Sequence, residues 1–139
     1  MKLKPVLTVS AIYQAFVGLG MMVAPRQFGI DAVPADASPA LIAFLRIFGG
    51  PMLGIAVLNW MARNAEPSTA RNAVVLGNIV GFGCVTLVDV WSVFAGSARP
   101  IAKVFLVIHV LLTVAFVMAW RTPCEPRDLS SGRWVVKAP

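Results

Sequence analysis

Three ionisable residues, Arg46, Asp89 and His109, stand inside stretches of sequence that are otherwise apolar. An ionised group held in hydrocarbon costs roughly 2.5–3.5 kcal/mol on insertion scales, so each must face other protein and find a partner. Gln14, Asn59 and Asn78 are the neutral polar residues in comparable positions. An arginine and an aspartate brought to one depth form an ion pair, and a histidine beside them tunes its charge or passes a proton. No second carboxylate lies in these stretches, and a lone histidine makes neither a zinc site nor a haem pair. No H-E-x-x-H, C-x-x-C, P-loop or G-x-S-x-G motif occurs. The sequence therefore predicts no metal site and no cofactor.

The elements that must carry these residues follow from composition. The chain has 139 residues, 58% hydrophobic and 13% charged, with mean hydropathy +0.80. A water-soluble domain carries roughly 25% charged residues. Disordered chains are poor in apolar residues, and two cysteines do not make a disulfide scaffold. The chain reads as an integral membrane protein. Crossing ~30 Å of hydrocarbon takes about 20 mostly apolar residues. Four stretches qualify: about 5–24, 40–61, 73–95 and 101–120. Proline, serine and glycine punctuate the breaks, with Ser38-Pro39 as an N-cap followed by a first-turn proline. Runs such as LVIHVLLTVAFVMAW do not alternate in polarity, which excludes barrel strands. The first stretch, behind Lys2 and Lys4, resembles a signal peptide, but it is long for one and no A-x-A site directly follows it. It is read as an uncleaved helix. The expected fold is all-α: a four-helix transmembrane bundle over 1–121, up-down-up-down, with a polar tail over 122–139.

Charge orients this bundle, because Lys and Arg collect on the cytoplasmic side. Lys2, Lys4, Arg63, Arg71, Arg121, Arg127, Arg133 and Lys137 share one side; Arg26, Arg99 and Lys103 share the other. Both termini are therefore expected in the cytoplasm of a cell's inner membrane. Trp60 and Trp120 fall at the inner interface and Trp91 near the outer one, as in an aromatic belt. The net charge of +6 is read as topology and contact with anionic lipid, not nucleic acid, since no aromatic-interleaved basic patch is present. Cys84, mid-span, and Cys124, in the tail, read as free thiols.

Depth can be counted at ~1.5 Å per residue. Arg46 and Asp89 each lie five residues outward of the centres of the second and third stretches, near Pro51 and Cys84. Both then sit roughly 7 Å from the midplane. His109 lies about 2 Å outward in the fourth stretch, and Gln14 near the centre of the first. Spacing adds a face to the depth. Ser10, Gln14 and Gly18 align, as do Arg46, Gly50 and Gly54; Asn78, Thr86 and Asp89; and His109 and Thr113. Gly50-x-x-x-Gly54 and Gly77-x-x-x-Gly81 fit close helix packing. The expectation is a buried Arg46–Asp89 pair completed by His109 and Gln14, with Gly50, Gly54, Gly77 and Gly81 as packing contacts. Pro51 cannot donate to the Ile47 carbonyl, which frees an acceptor below Arg46. Asn59 projects away from Arg46 and is expected to be solvated at the inner interface. Asp31 and Asp36 lie in the outer loop, which is expected to cover the cluster.

The segment from Gly18 to Asn59 carries a further pattern. A first span ending G-L-G-M-M-V-A-P, a short loop with F-G-I, then L-R-I-F-G-G-P-M-L-G resembles small bacterial four-helix membrane proteins of the DoxX-like type, over about residues 5–120. Arg46 followed by Gly49 and Gly50 is its most specific piece. The resemblance implies the four-helix fold. It implies no single activity, since members are described as accessories to oxidoreductases or as chaperone-like helpers, and many have no assigned role. It brings no catalytic motif.

Three functions compete. The first is a non-enzymatic accessory or assembly partner within the bilayer, held by a larger membrane protein or by copies of itself. The alternative is a binder of a small amphiphile (a quinone, an isoprenoid or a lipid) at the Arg46–Asp89–His109 cluster. An enzyme using His109 and Asp89 as acid and base ranks last, because nothing marks a nucleophile or metal. One polar layer in four helices does not line a channel. Interhelical hydrogen bonds average ~0.6 kcal/mol, so a polar cluster is weak glue for its insertion cost. A structural and a ligand-binding role for it both stay open.

Overall fold

The computed structural model describes residues 2–29, 33–98 and 100–121, together with the backbone of residues 127–128 and 133–134. Asp31, Arg99, Cys124 and the side chains of the tail, Trp134 to Val136 among them, lie outside the described residues. The helices are α1 (Leu3–Val23), α2 (Pro25–Phe28), α3 (Pro39–Ala62), α4 (Thr69–Phe94) and α5 (Pro100–Arg121). Four of them, α1, α3, α4 and α5, are long and apolar enough to cross a membrane. In the tail, β1 (Arg127–Asp128) pairs antiparallel with β2 (Arg133–Trp134).

Local chemistry sets the helix ends. Ser38 accepts a hydrogen bond from the Leu41 amide at 3.2 Å, and Pro39 opens α3. This is the capping chemistry expected from Ser38-Pro39. Ser68 does the same for the Arg71 amide, also at 3.2 Å, which starts α4 at Thr69, four residues before the apolar run. The α4–α5 turn needs a left-handed residue, and Gly96 supplies it at φ +69°. Pro51 sits within α3, which continues through it.

α1 is the most enclosed of the four long helices and packs most closely on α3. Gly18 and Gly49 bring these two backbones together. A Cβ built on Gly18 would lie 2.9 Å from the Gly49 carbonyl oxygen, and one on Gly49 would lie 2.5 Å from that of Gly18. Further along, Ser10 meets Asn59, so residue numbers rise along α1 as they fall along α3. α4 and α5 form the second close pair, whereas α3 and α4 barely touch. The core lies between Leu7 of α1, Val75 and Phe82 of α4, and Leu112 and Phe116 of α5. Phe82 and Phe116 stack with centroids 6.0 Å apart. Outside, Phe16, Ile47, Leu87 and Trp91 are exposed. A surface that apolar suits acyl chains.

The expected packing glycines are elsewhere than expected. Gly50, Gly54, Gly77 and Gly81 have no atom within 4 Å of where a Cβ would stand. The close contact falls on Gly18 and Gly49 because the buried stripe of α3 runs through Gly49, Ala56, Asn59 and Ala62. At ~100° per residue, that stripe is more than a quarter turn from the line of Arg46, Gly50 and Gly54.

Candidate functional site

Polar side chains gather in two groups along the bundle. The first joins α1, α4 and α5. His109 Nδ1 lies 2.6 Å from Asp89 Oδ2, and His109 Nε2 lies 2.7 Å from the Tyr13 hydroxyl. An ionised carboxylate only accepts, so Nδ1–H donates to Asp89, and in the neutral imidazole Nε2 then accepts from Tyr13 O–H. The ring is held by Tyr13 edge-on at 5.8 Å, Phe105 stacked at 6.3 Å and Phe82 at 6.0 Å. The His109 carbonyl accepts from Thr113 Oγ1 at 2.8 Å, and Thr113 meets Thr86 at 3.3 Å. Carboxylate, imidazole and phenol thus form one hydrogen-bonded line, with the His109 and Asp89 side chains only 12% and 20% exposed. Such a line can hold a proton and orient the imidazole.

The second group joins α1, α3 and α4. Asn59 and Asn78 exchange hydrogen bonds: Asn59 Nδ2 donates to Asn78 Oδ1 at 2.9 Å, and Asn78 Nδ2 to Asn59 Oδ1 at 2.6 Å. Asn59 Nδ2 also donates to Ser10 Oγ at 3.1 Å. Gln14 Nε2 donates to Ser10 Oγ and to Asn78 Oδ1, both at 3.3 Å, and Ser10 Oγ donates to Asn78 Oδ1 at 3.4 Å. Asn78 Nδ2 closes on the Val74 carbonyl at 2.8 Å. All four residues are buried. One atom is left over: Gln14 Oε1 is buried and accepts from nothing among the described residues.

Three expectations are corrected. Arg46 does not meet Asp89. It is exposed on α3, with no ion pair among the described residues. Its depth by residue count matches that of Asp89, but α3 and α4 barely touch, and Asp89 turns to α5 instead. A guanidinium on a flexible stem, seven residues from the start of α3, can reach the interface from the lipid side. Gln14 is not joined to His109; it belongs to the amide group, one turn along α1 from Ser10. Asn59 is not solvated but fully buried, because the face opposite Arg46 is the one α3 turns inward. Tyr13 was not anticipated. The signal is its being the one tyrosine of the chain, inside a span, with a hydroxyl that must find a partner there.

Two cavities adjoin these groups. A groove of about 480 Å³ runs between α3 and α4, with Gln14 and Asn78 among its lining and Phe48, Pro51, Gly77 and Gly81 along its walls. A second cavity, of about 360 Å³, lies against Asp89. No set of three metal-ligating side chains converges among the described residues. No family model, curated protein or solved structure matches the chain.

Proposed function

We propose that the four long helices cross a bilayer up-down-up-down, with both termini cytoplasmic, and that the protein is a non-enzymatic holder of a small amphiphile within that bilayer. The occupant carries an O–H or N–H donor on an apolar chain. The observation that supports this reading is Gln14, a polar residue lining an otherwise apolar groove, whose buried Oε1 accepts from nothing among the described residues. A buried acceptor left unpaired costs ~1–3 kcal/mol, which an occupant's donor recovers once the Gln14 side chain turns that oxygen toward the groove. The groove falls within the ~300–1,000 Å³ of ordinary ligand sites, and its mix of many apolar walls and few polar groups is typical of them. The charge bias and the resemblance to DoxX-like proteins support the bilayer topology.

Gly77→Leu provides the test. Nothing lies within 4 Å of a Cβ there, so the side chain enters the groove without displacing the fold. Native mass spectrometry of gently extracted wild type should show an amphiphile-sized mass that Gly77→Leu lacks. Added 1-dodecanol should raise the melting temperature of delipidated wild type more than dodecyl methyl ether, which has no donor. Equal shifts from the two compounds, with no bound mass, would refute the reading. A second reading is an accessory seated against another membrane protein, favoured by the unpartnered small-residue face of Ala73, Gly77 and Gly81 on α4. A second polypeptide at fixed stoichiometry, lost in Gly77→Leu, would decide for it.

A further inference from the structure

The cavity against Asp89 has a chemistry of its own. Asp89 is the one ionisable residue among its described lining. Only Oδ2 is engaged, by His109; Oδ1 has no hydrogen bond among the described residues. Ser92 and Ser97 line it too, and each spends its O–H on backbone: Ser92 on the Val88 carbonyl at 2.9 Å, Ser97 on the Ser92 carbonyl at 3.2 Å. Their oxygens can therefore offer lone pairs to an occupant. Phe28 and Phe105 supply rings. Phe28 is seated over Gly20, where a Cβ would collide with the ring, and stands edge-on to Phe16 at 5.2 Å. No basic residue is among the described lining residues. Arg26, two residues before Phe28, is committed to the Ala35 and Ala37 carbonyls at 3.0 and 3.2 Å.

With Arg46 on another face, an imidazole is the one partner that meets the Asp89 carboxylate among the described residues. A carboxylate, hydroxyl lone pairs and aromatic rings, with no competing cation among the described lining residues, are complementary to a group that is positive and only donates. We propose that this cavity binds the primary ammonium group of an amine, the Asp89 carboxylate taking the charge and Ser92 and Ser97 accepting its remaining N–H bonds. Gly29, Ser97 and Ala98 line the same cavity, so it opens at the end of the bundle where α2 and the α4–α5 turn lie. That position admits either a free alkylamine or the ammonium of a lipid headgroup. The site is independent of the α3–α4 groove, and either proposal can fail alone.

The experiment is calorimetric titration of the full chain in detergent with n-hexylammonium, n-hexanol and hexanoate. Hexylammonium should bind one per chain, at least ~10-fold tighter than the other two, as a charge-assisted hydrogen bond implies. Asp89→Asn should weaken hexylammonium by at least ~10-fold and leave hexanol unchanged. The amide oxygen that replaces the carboxylate can still accept from His109 Nδ1–H, so the histidine stays oriented. Ser92→Ala, on the cavity wall and apart from that line, should weaken hexylammonium by a few fold. In phosphatidylcholine nanodiscs, adding phosphatidylethanolamine should lower apparent hexylammonium affinity if the headgroup is the resident, and leave it unchanged if a free amine is. Hexanol binding as tightly as hexylammonium would overturn the proposal, as would Ser92→Ala and Asp89→Asn both binding at wild-type strength. The comparison of the three head groups on wild type decides even where a variant fails to fold.

Discussion

The reciprocal amide pair makes the sharpest prediction. α3 and α4 barely touch, and Asn59 and Asn78 are the side chains that hydrogen-bond across that gap. Asn59→Leu keeps the branching and the number of heavy atoms but leaves the Asn78 amide without its main partner. Asn78→Leu strands Asn59 and also removes the acceptor used by Gln14 and Ser10. Asn59→Leu leaves one Asn78 N–H without an acceptor and Asn78→Leu leaves Asn59 Oδ1 without a donor, at ~1–3 kcal/mol each, with Asn78→Leu the worse. The double change removes both amides, so it should be little worse than Asn78→Leu alone. Two bonds at an average of ~0.6 kcal/mol give a coupling energy of about 1.2 kcal/mol, or about 8-fold in an equilibrium constant. Reversible unfolding of all four proteins in bicelles, followed by tryptophan fluorescence, measures it directly. If the double mutant loses the sum of the singles to within ~0.3 kcal/mol, the amides are not acting as a pair and the reasoning fails.

Two further outcomes follow from the helix faces. Gly49→Ala sets a methyl 2.5 Å from the Gly18 carbonyl, and backbone cannot yield as a side-chain tip does. It should destabilise by ~1–3 kcal/mol in the same bicelle unfolding assay, while Gly54→Ala, with open space around it, should be neutral or stabilising by up to ~1 kcal/mol. Arg46→Gln should change stability by less than ~0.5 kcal/mol, because the guanidinium has no partner among the described residues; a large loss would restore a buried role for it.

The sequence made depth readable and left rotation obscure. Counting residues from the ends of each apolar run placed Asp89 and His109 near one level, and they bond at 2.6 Å. The same count placed Arg46 at that level too, where it points elsewhere. In a soluble bundle a polar face turns outward and an apolar face inward, so spacing alone fixes which residues meet. In a bilayer both surroundings are apolar, because lipid tails are as apolar as leucine. The exposed Phe16, Ile47 and Leu87 are no different in kind from the buried Leu7, Val75 and Phe116. What distinguishes the inner face is the residues that lipid cannot satisfy and those small enough to admit a backbone. Ser10, Gln14 and Gly18 mark that face correctly on α1. On α3 the markers divide: Gly49 and Asn59 lie inward, while Gly50, Gly54 and Arg46 lie off that stripe. The deciding difference is that an amide has no reach. Asn59 must be satisfied where its backbone stands, whereas the long stem of Arg46 lets its charge leave the level at which the chain puts it. Short polar groups in a span are therefore the stronger guide to rotation. Taking Asn59, Asn78, Ser10 and Gln14 as the reference on α1, α3 and α4 orients those helices as they are found, and leaves Asp89 facing α5 and its histidine.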